Sequence, residues 1–302
     1  MKRILVTTDN SSCAMEAFEL AAYFQQTFEA SLEIVSVFQD VGWESAAARS
    51  GELNPDRSAQ ARGAEKQLEE TFRARCPNVP VKGVAICQED GPAADIARYA
   101  SETHADIIVI ATHGRRGVRR LIAGSVTERL LQEATCPVLV VPQWNQACLT
   151  DGHCQIAVAT DLSPPSFAAF PLARSIYKAL GDAAANVTLV HVSENMVAAT
   201  YNIALGGSTE EIRRDLEQRA QLELDALRLQ WFPQSMAMAT VIRGTRSVDE
   251  DLAGFIESRG IDLLIMASQG HSAMERVMFG SVAQKMVRIA CKPVLIVPPD
   301  AS

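Results

Sequence analysis

Short apolar runs alternate along this chain with longer stretches in which apolar positions return every three or four residues. The runs read as buried strands and the periodic stretches as helices packed by one face. In the first half the predicted strands are Arg3–Thr8, Leu32–Phe38, Val79–Cys87, Ile107–Ile110 and Val138–Val141. In the second half they are Ile156–Thr160, Val187–Val192, Met236–Arg243, Leu263–Met266 and Val294–Val297. One helix follows Asp9-Asn10-Ser11-Ser12, carrying Ala14, Ala17, Phe18, Ala21, Ala22 and Phe24 near one face. Further helices are predicted over Asp56–Arg75, Ala93–Thr103, Ala168–Leu180, Thr209–Phe232 and Ser247–Ser258, and after Gly124-Ser125 and Gly280-Ser281. The polar clusters Asp9–Ser12 and Asp161-Leu162-Ser163-Pro164-Pro165 are expected to cap the helices they precede. Two long loops, Gln39–Pro55 and Ser193–Ser208, are longer than a connection needs and are expected to rim a pocket.

Strands alternating with helices predict an α/β fold with a parallel sheet covered on both faces. The series runs once and then restarts, so the domain is duplicated: residues 1–142, a polar linker over 143–153, and residues 154–302. Right-handed crossovers predict two doubly wound parallel five-stranded sheets of order 3-2-1-4-5, a Rossmann-like or flavodoxin-like architecture. Such a sheet binds ligands outside the carboxyl ends of strands 1 and 4, where the winding reverses.

Those ends carry the chemistry. Strand 4 leads into Ala111-Thr112-His113-Gly114, nine residues, then Gly124-Ser125-Val126-Thr127; its echo is Ala267-Ser268-Gln269-Gly270, nine residues, then Gly280-Ser281-Val282. Gly114 and Gly270 allow a sharp turn and close backbone approach, and the helix openings offer unpaired N–H groups to an anion. This pattern suits a phosphate group. A plain turn at each glycine and a plain cap at each serine remain the alternatives.

The pattern resembles the universal stress protein family, whose nucleotide-binding members carry Gly-x2-Gly-x9-Gly-Ser/Thr after the fourth strand. The resemblance covers nearly the whole chain as two successive domains, with Ala111 and Ala267 standing where the first glycine is expected. It implies ATP as a regulatory ligand, with or without Mg, and no structural metal. Thr8-Asp9 and Thr160-Asp161 match the adenine edge, and Val37 and Val192 the position whose backbone reads adenine. His113, Arg115, Arg116 and His271 flank the phosphate glycines. The resemblance further implies that domains of this family pair through their terminal strands; a homodimer of the whole chain, a signalling protein as partner and a stress-response role are expected besides. A non-nucleotide-binding interaction module of the same fold is the alternative.

Composition narrows this picture. The chain has 302 residues, 48% hydrophobic and 21% charged, ordinary for globular domains. A net charge of −8 disfavours nucleic acid and anionic membranes as partners. Met1-Lys2-Arg3 leads straight into a strand, no apolar run is long enough to span a bilayer, and a cytoplasmic location is expected. Seven cysteines without a C-x-x-C pair argue for reduced thiols. Against this acidic background Arg115, Arg116, Arg119 and Arg120 cluster in the first glycine loop, while the second has Arg276 beside Glu275. The cluster suits a polyphosphate or, alternatively, a solvated basic loop, and it predicts tighter ATP binding in the first half. No Walker A run, nucleophile elbow or H-E-x-x-H is present, so at most slow ATP hydrolysis is expected.

Overall fold

A computed structural model describes residues 1–38, 55–112, 124–142, 154–181, 184–193, 209–233, 237–270 and 279–299. The chain divides into two compact units, Met1–Trp144 and Asn145–Ser302. The first unit runs β1 (Arg3–Thr7), α1 (Glu16–Phe28), β2 (Ser31–Phe38), α2 (Pro55–Arg75), β3 (Lys82–Cys87), α3 (Pro92–Glu102), β4 (Ile107–Ala111), α4 (Ser125–Glu133) and β5 (Val138–Val141). Its strands lie parallel in the order β3-β2-β1-β4-β5. Helices α1 and α2 pack together on one face, α3 and α4 on the other.

The second unit repeats this plan. It runs β6 (Cys154–Ala159), a 3₁₀ turn (Pro164–Ala168), α5 (Ala169–Leu180), β7 (Ala185–Ser193), α6 (Thr209–Trp231), β8 (Met238–Arg243), α7 (Val248–Ser258), β9 (Leu263–Ala267), α8 (Ser281–Ile289) and β10 (Val294–Val297). The parallel order is β8-β7-β6-β9-β10. The doubly wound 3-2-1-4-5 sheet expected for each half is therefore present in both.

The strands with the least polar sequences lie deepest. Every residue of β4 and β9 is buried, as a strand covered on both faces requires. Aromatic pairs close the helix layer: Phe18 meets Phe72 at 5.1 Å between ring centroids, and Phe170 meets Trp231 at 5.8 Å. Burying such a ring contributes roughly 1.5–3 kcal/mol, so these contacts hold the helices against the sheet.

One carboxylate clamps the centre of each sheet. Asp106 Oδ2 accepts the N–H groups of Lys2 (2.6 Å) and Arg3 (2.8 Å), tying the residue before β4 to the start of β1. Asp262 Oδ2 does the same for Gln155, at 3.0 Å. A second pair orders the loops before α3 and α7. Buried Asp95 accepts the N–H groups of Glu89 (3.0 Å) and Asp90 (3.3 Å). Asp251 accepts those of Thr245 (2.8 Å) and Arg246 (3.0 Å).

Some expected boundaries differ. The cluster Asp9–Ser12 does not cap α1, which starts only at Glu16 after Met15 with no side-chain cap. The polar side chains instead bond the turn itself. The helix expected from Ala168 is preceded by the 3₁₀ turn, because the two prolines Pro164 and Pro165 open a tighter coil. The linker 143–153 and the loop rims 39–54 and 194–208 lie outside the described residues.

Candidate functional site

The end of each first strand makes the same turn. In the first unit Thr8 Oγ1 accepts the N–H of Asn10 (2.9 Å) and Asp9 Oδ1 that of Ser11 (2.9 Å). In the second, Thr160 Oγ1 accepts the N–H of Leu162 and Asp161 Oδ1 that of Ser163, both at 3.0 Å. The middle residue is left-handed in both, φ 61° at Asn10 and 64° at Leu162. Asparagine adopts this region with little strain, leucine does not.

The second unit adds hydroxyls. Ser163 Oγ donates to Asp161 Oδ1, and Ser166 Oγ donates to the Ser163 carbonyl at 2.7 Å. With its proton so used, Ser166 accepts from Thr160 Oγ1 at 2.7 Å. Thr160 and Ser166 thus brace the Ser163 carbonyl, while the Ser163 hydroxyl and N–H hold the Asp161 carboxylate.

The glycines that follow the fourth strands are there for a reason of space. Gly124 N–H donates to the Thr112 carbonyl (2.8 Å) and Gly280 N–H to the Ser268 carbonyl (2.7 Å). A Cβ at these glycines would stand 3.3 Å and 3.0 Å from the same carbonyl oxygens. At Gly270 a Cβ would overlap the Asp161 carboxylate, with Cγ 3.0 Å away. Close approach, rather than a positive φ, requires glycine at these positions.

The alternative of a plain cap at each serine does not hold. Gly124 and Gly280 occupy the cap positions with no side-chain cap, and Ser125 and Ser281 sit exposed at the first helical residue. A serine placed after the cap cannot reach back to the helix's own first N–H groups, which leaves that end able to meet an anion. Thr127 turns inward and donates to the Ala111 carbonyl at 3.2 Å, so its hydroxyl proton serves the fold.

In the second unit these segments surround a cavity of about 630 Å³ at the carboxyl ends of β6, β7 and β9, within the range of small-ligand sites. Of the residues expected there, Thr160, Asp161, Val192, Ala267, Gly270, Gly280, Ser281 and Val282 all line it. The helices contribute Leu216, Ala220, Val248 and Leu252 as an apolar wall. Glu223 and Arg219 lie at its edge, Arg219 pairing with Asp215 at 2.8 Å.

Of the lining residues beyond those expected, two bear on the chemistry. His191 lines the cavity with Nδ1 3.0 Å from the Thr160 carbonyl. Ser268 is 3% exposed and lines the cavity, and its Oγ has no hydrogen-bond partner among the described residues. Its position inside the glycine frame was the available signal.

In the first unit Thr8, Asp9, Val37, Ala111, Gly124, Ser125, Val126 and Thr127 stand at the matching carboxyl ends of β1, β2 and β4 and the start of α4. His113, Gly114, Arg115, Arg116 and His271 lie outside the described residues, as do Arg119, Arg120, Glu275 and Arg276.

Among the described residues Glu89, Asp90 and Asp95 form an acidic cluster between β3 and the first turn of α3. Arg98 makes ion pairs with all three, at 2.9, 3.1 and 2.9 Å. Its guanidinium supplies the positive charge that a metal ion would otherwise bring. No helix among the described residues is long and apolar enough to cross a membrane.

The model of the universal stress protein family matches residues 1–142 and again 155–298. A universal stress protein of Methanocaldococcus jannaschii is 32% identical over 145 residues, covering 46% of this chain and 81% of that protein. A putative universal stress protein of Staphylococcus aureus is 30% identical over 142 residues, covering 46% of this chain and 83% of that protein. Among solved structures, a universal stress protein from Archaeoglobus fulgidus aligns with a TM-score of 0.68 at 16% identity, over 98% of both chains. A putative one from Pseudomonas aeruginosa aligns at 0.62 and 15% identity, over 100% of this chain and 95% of that one.

Proposed function

Since the chain belongs to the universal stress protein family, which it matches in tandem, we propose that it binds ATP as a regulatory ligand in a stress response. The observation that carries this reading is the cavity of the second unit, where the ends of β6, β7 and β9 and the start of α8 meet. Its polar groups suit a nucleotide. Asp161 is held by Ser163 as an acceptor for hydroxyl or amine donors, and the backbone at Val192 borders the base. Gly270, Gly280, Ser281 and Val282 bring backbone close to the phosphates at an uncapped helix start. The buried Ser268 hydroxyl is a donor in need of an acceptor.

The same roles fall to Thr8, Asp9, Val37 and Gly124–Val126 in the first unit, joined in this proposal by His113, Gly114, Arg115 and Arg116. Mg would accompany ATP by screening its phosphates. The arginine cluster makes the first site the tighter one for ATP. A cytoplasmic location, a homodimer and a signalling partner complete the proposal. No catalytic residue is assigned, and any ATP hydrolysis is slow.

Two measurements test it. Mass spectrometry of small molecules released from the purified protein should find an adenine nucleotide, and calorimetry should find saturable ATP binding that weakens in Gly280→Val. A folded protein that binds neither ATP, ADP nor AMP at millimolar concentration would instead establish the interaction-module reading.

A further inference from the structure

The two units differ where the second strand meets the crevice. Val35 accepts the N–H of Thr8 (2.9 Å) and Val190 that of Thr160 (3.0 Å), so the next residues, Ser36 and His191, occupy matching positions. A serine in one unit is an imidazole in the other. That imidazole lines the cavity, half-buried, and is held by one bond to the Thr160 carbonyl at 3.0 Å.

A carbonyl oxygen only accepts, so Nδ1 carries the hydrogen. The neutral ring then has Nε2 as an acceptor, on the edge facing away from Thr160. Nε2 makes no hydrogen bond to another described residue. The other polar side chains that line the cavity are mixed: Asp161 and Glu223 accept, while Arg219 and the Ser268 hydroxyl donate. An unengaged ring acceptor on the lining is matched by a ligand edge that donates.

We propose that His191 is a specificity-determining residue of the second unit, its Nε2 accepting a hydrogen bond from the exocyclic amine of a purine base. This rests on the nucleotide reading and sharpens it: the base is an aminopurine. A purine with no amine leaves Nε2 and its own ring edge unmatched, which costs about tenfold in affinity. The first unit, with Ser36, lacks this particular acceptor and discriminates less.

The test uses the full chain labelled with ¹⁵N-histidine, with AMP and purine riboside 5′-monophosphate, which differ only by the amine. The His191 resonances are assigned by their loss in His191→Ser, a residue the fold already accommodates in the first unit. Saturation with AMP should shift the Nε2 resonance, and the titration should give AMP about a tenfold lower Kd than the amine-free analogue. Calorimetry on His191→Ser and His191→Phe should show this preference gone while AMP still binds. If AMP binds but Nε2 does not move, or the two ligands bind equally in the wild type, the assignment fails alone. If AMP does not bind at all, it fails together with the nucleotide reading.

Discussion

Gly270 and Asp161 compete for one small volume, and that competition can be measured as a coupling energy. In Gly270→Ala the new methyl overlaps the Asp161 carboxylate, whose Cγ lies 3.0 Å from the Cβ position. The carboxylate is the group that gives way, because it ends a side chain and the glycine backbone does not. Swinging it out breaks its bonds from the Ser163 N–H (3.0 Å) and hydroxyl. Bonds to a charged acceptor contribute roughly 1.5–3 kcal/mol each, and at this half-buried position water returns part of that. The net loss is about 2 kcal/mol. In an Asp161→Ala background nothing is displaced, and the same substitution is neutral or stabilising by about 0.5 kcal/mol, because alanine restricts the unfolded chain. The double-mutant cycle therefore predicts a coupling of about 2 kcal/mol. Urea unfolding followed through Trp231, in a background with Trp43 and Trp144 replaced by Phe, reads the second unit. Additive effects, with coupling below about 0.5 kcal/mol, would refute the steric account.

Three further outcomes follow from the fold. Gly83→Ala places a methyl onto the Glu65 carbonyl of α2, with the carbonyl carbon 2.8 Å away, and neither backbone can move aside cheaply. It should cost about 3 kcal/mol, seen as a lower urea midpoint, and a shift of under about 1 kcal/mol contradicts it. Leu162→Asn relieves a left-handed leucine at φ 64°, and should raise stability by about 1 kcal/mol in thermal unfolding; no gain means the turn carries no strain. For Asp251, burial alone would raise its pKa, but bonds from the Arg246 and Thr245 N–H groups, the Thr245 hydroxyl and the Arg246 side chain outweigh it and hold the carboxyl below its usual range. Its contribution is therefore complete above the unfolded carboxylate pKa and is lost as pH falls through the folded one. Asp251→Asn should destabilise by about 2 kcal/mol at pH 7 and converge on the wild type in acid, whereas a pH-independent difference would assign the effect to packing.

Much of the fold was legible because its signals are local. The runs Ile107–Ile110 and Leu263–Met266 are apolar throughout, and only strands buried on both faces tolerate that. The glycine frame was legible as spacing, and the structure supplies its cause, since Gly124 and Gly280 pass against the carbonyls of Thr112 and Ser268. What escaped was decided at a distance. The contact between Gly270 and Asp161 joins residues more than a hundred positions apart, and nothing near either one announces it. His191 sits in an ordinary strand pattern, and its orientation depends on the carbonyl of Thr160 in the neighbouring strand. The late start of α1 escaped because Asp9 and Ser11 could cap a helix or close a turn, and in the fold they close the turn.

The clamp between Asp106 and the amino end of β1 has a temporal side. Its hydrogen bonds span 104 and 103 residues, so β1 emerges from a ribosome long before its second neighbour exists. At about 5–20 residues per second, one flank of the central strand stays unsatisfied for some 5–20 seconds while the first unit is being made. The second unit repeats the wait, with 107 residues between Gln155 and Asp262. Pairings of such long separation make a slow, late step of folding, and an uncovered apolar strand is open to wrong partners meanwhile. Newly made chains halted before Asp106 should therefore be the species that chaperones hold and that aggregates under heat, while chains released just beyond β5 should fold.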